Sequence, residues 1–170
     1  MEGHVALVTG GGGGIGRVSA ATFAARGLKV VVADIDDRNG RETVEQITAN
    51  GGTAMFVHVD LADAASTEGM VATTLKSYGR LDYAFNNAGV DGPTVALADT
   101  TFEDWNKIIA VNLTGVFHCL KYEIPVMLEQ GKGSIVNTSS VAGVKGHPNL
   151  GAYTASKHGV NGLTKAVAID

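Results

Sequence analysis

Short apolar runs, each halted by glycine, asparagine or a polar residue, alternate with longer segments of helical period along the whole chain. The runs are HVALVT (4–9), LKVVVADID with its end at Asp34, TAMFVHVD (53–60), LDYAFNNAG (81–89) and GSIVNTSS (133–140). Most are brief and rich in β-branched residues, which reads as strands buried on both faces. The segments between them carry helix patterns. IGRVSAATFAARG has Ile15, Val18, Ala21/Thr22 and Ala25 at helical spacing and Gly27 as its stop. A polar helix from Arg38 to Asn50 and a third, AASTEGMVATTLKSYG, follow. A long pattern over 100–128 sets Phe102, Trp105, Ile108/Ile109, Leu113, Val116/Phe117 and Leu120 on one side, and GAYTASKHGVNGLTKAVAID closes the chain, which is expected to stop inside that helix. Strands that alternate with helices pair in parallel through right-handed crossovers, so the expected fold class is α/β, a doubly wound parallel sheet with helices on both faces.

In such sheets ligands bind beyond the carboxyl ends of the strands, so the residues there are the ones to read. The first strand ends in TGGGGGIG, residues 9–16. Glycine is costly to order, and a run that opens a helix suggests backbone that a phosphate approaches closely. One register, Gly11, Gly13 and Gly16, satisfies G-x-G-x-x-G; Arg17 and Val18 rule out a P-loop. Asp34 ends the second strand, near the ~20-residue spacing at which an acid grips a ribose. A carboxylate there repels a 2′-phosphate, so NAD is expected over NADP, with Arg17 and Arg38 as the cations that could compensate. Asp36 and Asp37 read as helix-start acids. Asp60, after the third strand, suits either an adenine amino group or a cap on the next helix. After the fourth come Asn86 to Gly89, where asparagines can lock neighbouring loops and Gly89 admits a dinucleotide. The sheet is therefore read as Rossmann-type, one domain over residues 1–170.

Tyr153 and Lys157 stand at i and i+4 on the last helix, hence on one face. A phenol has a pKa near 10, and a neighbouring ammonium favours the phenolate. Such a pair can move a proton near neutral pH. Ser140, at the end of the fifth strand, offers a hydroxyl to a developing alkoxide.

Together these residues resemble the short-chain dehydrogenase/reductase family, in its shorter-subunit branch. TGGGGGIG fits TGxxxGxG, with Gly10, Gly14 and Gly16 as motif glycines and Gly11 to Gly13 a variable middle where a side chain should be tolerated. NNAG, NTSS and YTASK appear in order over essentially the whole chain. The resemblance implies Asn112, Ser140, Tyr153 and Lys157 as catalytic residues. It implies cofactor contacts at Gly10, Gly14, Ile15, Gly16, Asp34, Asp60, Leu61, Asn87, Ala88, Gly89, Tyr153 and Lys157. Hydride would pass between nicotinamide and a secondary alcohol or ketone. Tyr153 would move the proton, Lys157 would lower the tyrosine pKa and hold the nicotinamide ribose, and Ser140 would position the substrate oxygen. Asn112 would hold a water linked to Lys157, and Ser139 would be structural. Members of the family are typically longer, so the chain is expected to be truncated after the catalytic helix and to leave the fifth strand as an exposed edge. A dinucleotide-binding protein without hydride transfer, or an inactive fragment, is the alternative.

Net charge is −4 with no basic cluster, which argues against nucleic acid. One cysteine, Cys119, no apolar stretch near ~20 residues, and an N-terminus unlike a leader favour a cytoplasmic protein without membrane contact. The histidines show no metal-ligand clustering. A homotetramer or homodimer, formed through the helical segments Phe102–Leu128 and Gly151–Asp170, and a small alcohol or ketone substrate complete the expectation.

Overall fold

A computed structural model describes residues 3–170; Met1 and Glu2, part of the stretch read against a leader, lie outside the described residues. Five strands, β1 (Val5–Thr9), β2 (Lys29–Asp34), β3 (Thr53–His58), β4 (Tyr83–Asn86) and β5 (Ser134–Asn137), form one parallel sheet in the order β3-β2-β1-β4-β5. The order reverses between β1 and β4, the switch point where such sheets open a crevice. The register pairs Val5 with Lys29 and Ala6 with Tyr83.

Alternation along the central strands divides the core. Ala6, Val8, Val30 and Val32 face α1 (Gly14–Ala25) and α2 (Asp37–Ala49) through Ala20, Ala24 and Ile47. Val5, Leu7, Val31 and Ala33 face α3 (Ala64–Tyr78) and α5 (Gly115–Glu129) through Met70, Val71, Cys119 and Met127. Each fully buried valine or leucine contributes roughly 1.5–3 kcal/mol over leaving it in water. Beside α5 lies α6 (Gly151–Val167), seated through Val116, Leu120 and Val160. Asp36, Asp63 and Thr101 cap α2, α3 and α4 (Phe102–Ile109) by accepting from the backbone of the first turn.

Three expectations are corrected. The spaced residues of α1 do not face the sheet: Ile15 and Val18 are exposed, and Gly16, Ala20 and Ala24 are buried instead. Small side chains win there because they let the helix axis approach β1 and β2. The segment 100–128 is not one α-helix. It is α4, a π-turn at Ala110–Thr114, and α5, in which Gly115 N–H bonds Ala110 O. The stripe therefore breaks: Ile108, Val116 and Leu120 are buried, whereas Phe102, Trp105 and Phe117 are exposed. The last helix ends at Val167, with Ala168 as its cap, so Asp170 lies beyond it.

Candidate active site

The carboxyl ends of β1 to β4 surround a cavity of about 610 Å³. Three hydrogen bonds hold its walls. Thr9 Oγ1 accepts from the N–H groups of Asn87 and Ala88 at 3.0 and 3.2 Å, and Asn87 Nδ2 donates to Thr9 O at 3.1 Å. Gly10 is left-handed (φ 64°), and a Cβ on it would meet Ala88 Cα at 2.9 Å. A Cβ on Gly16 would strike the Gly10 carbonyl. The asparagine of the NNAG segment thus locks the glycine loop to the β4 loop, as its residue type suggested.

The middle of the glycine run is tighter than expected. Gly12 N–H donates to Asp34 Oδ2 at 2.8 Å, and a Cβ on Gly12 would stand 2.8 Å from that oxygen and 3.0 Å from Gly40 N. A Cβ on Gly11 would stand 2.9 Å from Val32 Cγ1. Of the three, Gly13 alone has open space around it. The run folds back over the end of β2, so tolerance to a side chain is confined to Gly13.

Asp34 lines the cavity, its Oδ1 accepting from Asp36 N–H at 3.0 Å. Arg17 is committed elsewhere: its Nε and Nη2 donate to Gly12 O at 2.9 and 2.6 Å, and Nη2 lies 3.1 Å from Glu42 Oε2. Asp60 also lines the cavity; its Oδ1 accepts from Ala62 N–H, and the cap on α3 falls to Asp63.

The second cluster forms across Gly89. A Cβ on Gly89 would lie 3.2 Å from Asn112 Oδ1 and 3.5 Å from Lys157 Nζ. Asn112 is fully buried within the π-turn. Its Oδ1 accepts from Val90 N–H and its Nδ2 donates to Val90 O, both at 2.8 Å, with a further bond to Ser156 Oγ at 3.3 Å. Both amide protons are therefore in use, and an Asn112-bound water has only the remaining Oδ1 lone pair or the main chain. Lys157 is 3% exposed; its Nζ donates to Thr138 O at 2.9 Å and stands 5.7 Å from the Tyr153 ring centroid. Burial lowers its pKa, and the Asp91 carboxylate pushes the other way. Ser140 Oγ accepts from Ala142 N–H at 3.1 Å, as the cap of a short 3₁₀ turn at Val141–Gly143, which leaves its own proton for a ligand. Ser139 Oγ donates to Lys157 O, a structural tie. The loops after β4 and β5 meet where Val95 N–H donates to Asn149 O at 3.1 Å.

Of the residues named from sequence, Gly10, Asp34, Asp60, Leu61, Asn87, Ala88 and Gly89 line the cavity. Asn112 and Lys157 adjoin it across Gly89. Gly14 and Gly16 serve the turn and the packing of α1, and Ile15 is exposed on the first turn of α1. Sequence reasoning missed the roles of Thr9 and of the Thr138 carbonyl, which act through a neighbour or through backbone. It also missed Lys107 and Val111, which α4 and the π-turn bring to the cavity.

Backbone approach at Gly10 and Gly13, carboxylates at Asp34 and Asp60, and an open glycine before the Lys157 cluster fit a dinucleotide. The sequence matches the short chain dehydrogenase family over residues 4–170. It is 44% identical to a 2,5-dichloro-2,5-cyclohexadiene-1,4-diol dehydrogenase of Sphingobium indicum, over 100% of this chain and 67% of that protein. It is 42% identical to a cyclohexanol dehydrogenase of Acinetobacter sp., over 98% and 66%. An NAD+-bound xylitol dehydrogenase superposes with a TM-score of 0.97 at 35% identity, covering 99% of this chain and 65% of that one. A metagenomic short-chain oxidoreductase in complex with NADP gives 0.95 at 35% identity, covering 98% and 76%. The chain thus spans about two thirds of the length of these curated relatives. With the family's motif residues gathered at one end of the sheet and the match running nearly end to end, the chain belongs to the short chain dehydrogenase family of oxidoreductases.

Proposed function

We propose that the protein is an NAD-dependent oxidoreductase acting between a secondary alcohol and its ketone. The observation that carries this reading is the convergence of Lys157 Nζ and Asn112 Oδ1 on Gly89, at the rim of a cavity that the glycine run borders on its other side. Gly10, Gly13 and Gly89, which line the cavity, would face a pyrophosphate and a nicotinamide ribose. Asp34 would accept from the adenosine ribose hydroxyls, and Asp60 from the adenine amino group. The nicotinamide, when bound, supplies the carbon that takes up or gives back the hydride.

The protein's own groups handle the proton and the charge. Tyr153 takes the proton from the alcohol in oxidation and returns it in reduction. The Lys157 ammonium stabilises the negative charge that develops on Tyr153, and its bond to Thr138 O fixes its place. Ser140 Oγ donates to the substrate oxygen as it becomes alkoxide-like. Asn112, by clamping Val90, holds the loop after Gly89 in line.

NAD is favoured because the Asp34 carboxylate would repel a 2′-phosphate, and Arg17, one of the two cations that could offset it, is tied to Gly12 O and Glu42. Relatives named for a cyclohexadiene diol and for cyclohexanol support a cyclic secondary alcohol as the substrate class. Exposed Phe102, Trp105 and Phe117 support self-association through the α4–α5 segment, and a cytoplasmic location fits the lone buried Cys119. The test is turnover of a panel of cyclic secondary alcohols with NAD and with NADP. The reading expects a kcat/KM ratio of about tenfold or more for NAD; preference for NADP overturns the role given to Asp34.

A further inference from the structure

Glu123 is fully buried on α5 and does not line the cavity. Among the described residues no cation pairs with it. Asn86 Nδ2 donates to its Oε2 at 3.0 Å, while Glu123 Oε1 and Asn86 Oδ1, both acceptors, have no partner. Two orphaned acceptors on two groups already joined by one hydrogen bond are satisfied together by a single added proton. A neutral carboxylic acid and a carboxamide can pair at both points; a carboxylate cannot.

From Asn86 the bonds continue in one direction. Its Nδ2 also donates to Asn137 Oδ1 at 3.0 Å, Asn137 Nδ2 donates to Thr164 Oγ1 at 3.0 Å, and Thr164 Oγ1 donates to Val160 O at 2.7 Å. The chain joins α5, β4, β5 and α6. It also reaches the active site, because Thr138, next after Asn137, donates from its backbone to Asn86 O and receives Lys157 Nζ on its own carbonyl. Thr164 lies on the helix of Tyr153 and Lys157.

We propose that Glu123 is a positioning residue: as a neutral acid it donates from Oε1 to Asn86 Oδ1 and anchors the hydrogen-bond chain that seats α6 on β5. Burial supports the neutral form, pushing the Glu123 pKa up to about 7 against the weaker opposing bond from Asn86. The titratable group facing it is the Cys119 thiol, one turn earlier on α5 and itself pushed well up by burial. Its hydrogen-bond partner on β4, Asn86, and the next links on β5 and α6, Asn137 and Thr164, are uncharged. The catalytic side of this inference rests on the oxidoreductase reading of Lys157; the structural side does not.

The sign of the linkage follows. An acid whose folded pKa is raised binds a proton in the folded state that the unfolded chain has released. Stability from Glu123 is therefore full below about pH 4.5 and is lost as pH rises toward about 7. Glu123→Gln keeps both hydrogen bonds and cannot ionise. Thermal unfolding of the full chain should give coincident midpoints for wild type and Glu123→Gln near pH 4, with wild type falling about 5 °C or more below the variant by about pH 8.5. Glu123→Leu removes Asn86's partner on α5 and leaves its Oδ1 without a donor, while the Asn86–Asn137 bond remains. It should speed amide exchange across 151–167 by roughly tenfold and lower kcat with KM nearly unchanged, while Glu123→Gln retains kcat. A Glu123→Gln protein less stable than wild type at alkaline pH, or α6 exchange unchanged in Glu123→Leu, overturns the proposal. Absent NAD-linked turnover in every variant, with the unfolding pattern intact, would refute the oxidoreductase reading alone.

Discussion

A methyl group on Gly12 would press on the Asp34 carboxylate, whereas one on Gly13 would point into open space. Adjacent glycines that look alike in the sequence thus differ in what stands behind them. Gly12→Ala should weaken NAD binding by about tenfold, the worth of one disturbed hydrogen bond. Gly13→Ala should change it by less than about twofold. Titration calorimetry of the two variants checks both. Gly16→Val meets the Gly10 carbonyl, and relief requires α1 to move away from β1; such overpacking costs about 1–3 kcal/mol or more, read as a lower unfolding midpoint. The sequence could mark Asp34 as a candidate ribose acid because a strand end and a spacing point to it. It could not mark Gly12 as that acid's hydrogen-bond donor, because the contact depends on how the loop folds back.

At the scale of elements, five strands and their helices were legible from the apolar runs, with ends right to within a few residues. The faces of two helices were not. In α1 the chosen stripe held the larger residues, Ile15 and Val18, but close approach of helix to sheet selects small ones. In the 100–128 segment the π-turn adds one residue to a turn, about 100° of phase, so no constant period runs through it. Asn112, an unfavourable mid-helix residue, was the one visible sign of it. Inside the turn it clamps Val90 on both backbone groups. Asn112→Ala should leave that N–H and C=O unsatisfied and destabilise the protein by about 2 kcal/mol. It should also lower kcat, measured by denaturant unfolding and steady-state kinetics.

At the scale of the whole molecule, the alternation and the crossover rule implied a parallel sheet with a site at the carboxyl ends of its strands, and the order β3-β2-β1-β4-β5 came from the structure. Among the described residues nothing pairs with the outer edge of β5, and Val136 is more than half exposed there. An open edge with an apolar side chain invites pairing with another chain. Val136→Lys should reduce concentration-dependent association with little change in unfolding midpoint, checked by light scattering beside calorimetry. The central claim is that one end of this sheet brings a bound nicotinamide, a proton-moving tyrosine and its lysine together. It is tested most directly by comparing wild type and Tyr153→Phe in NAD turnover of a cyclic secondary alcohol, followed by the ultraviolet absorbance of reduced nicotinamide, with NAD affinity measured alongside. The account predicts a loss of turnover of roughly 10²-fold or more at nearly unchanged NAD affinity. Turnover in Tyr153→Phe equal to wild type would contradict it.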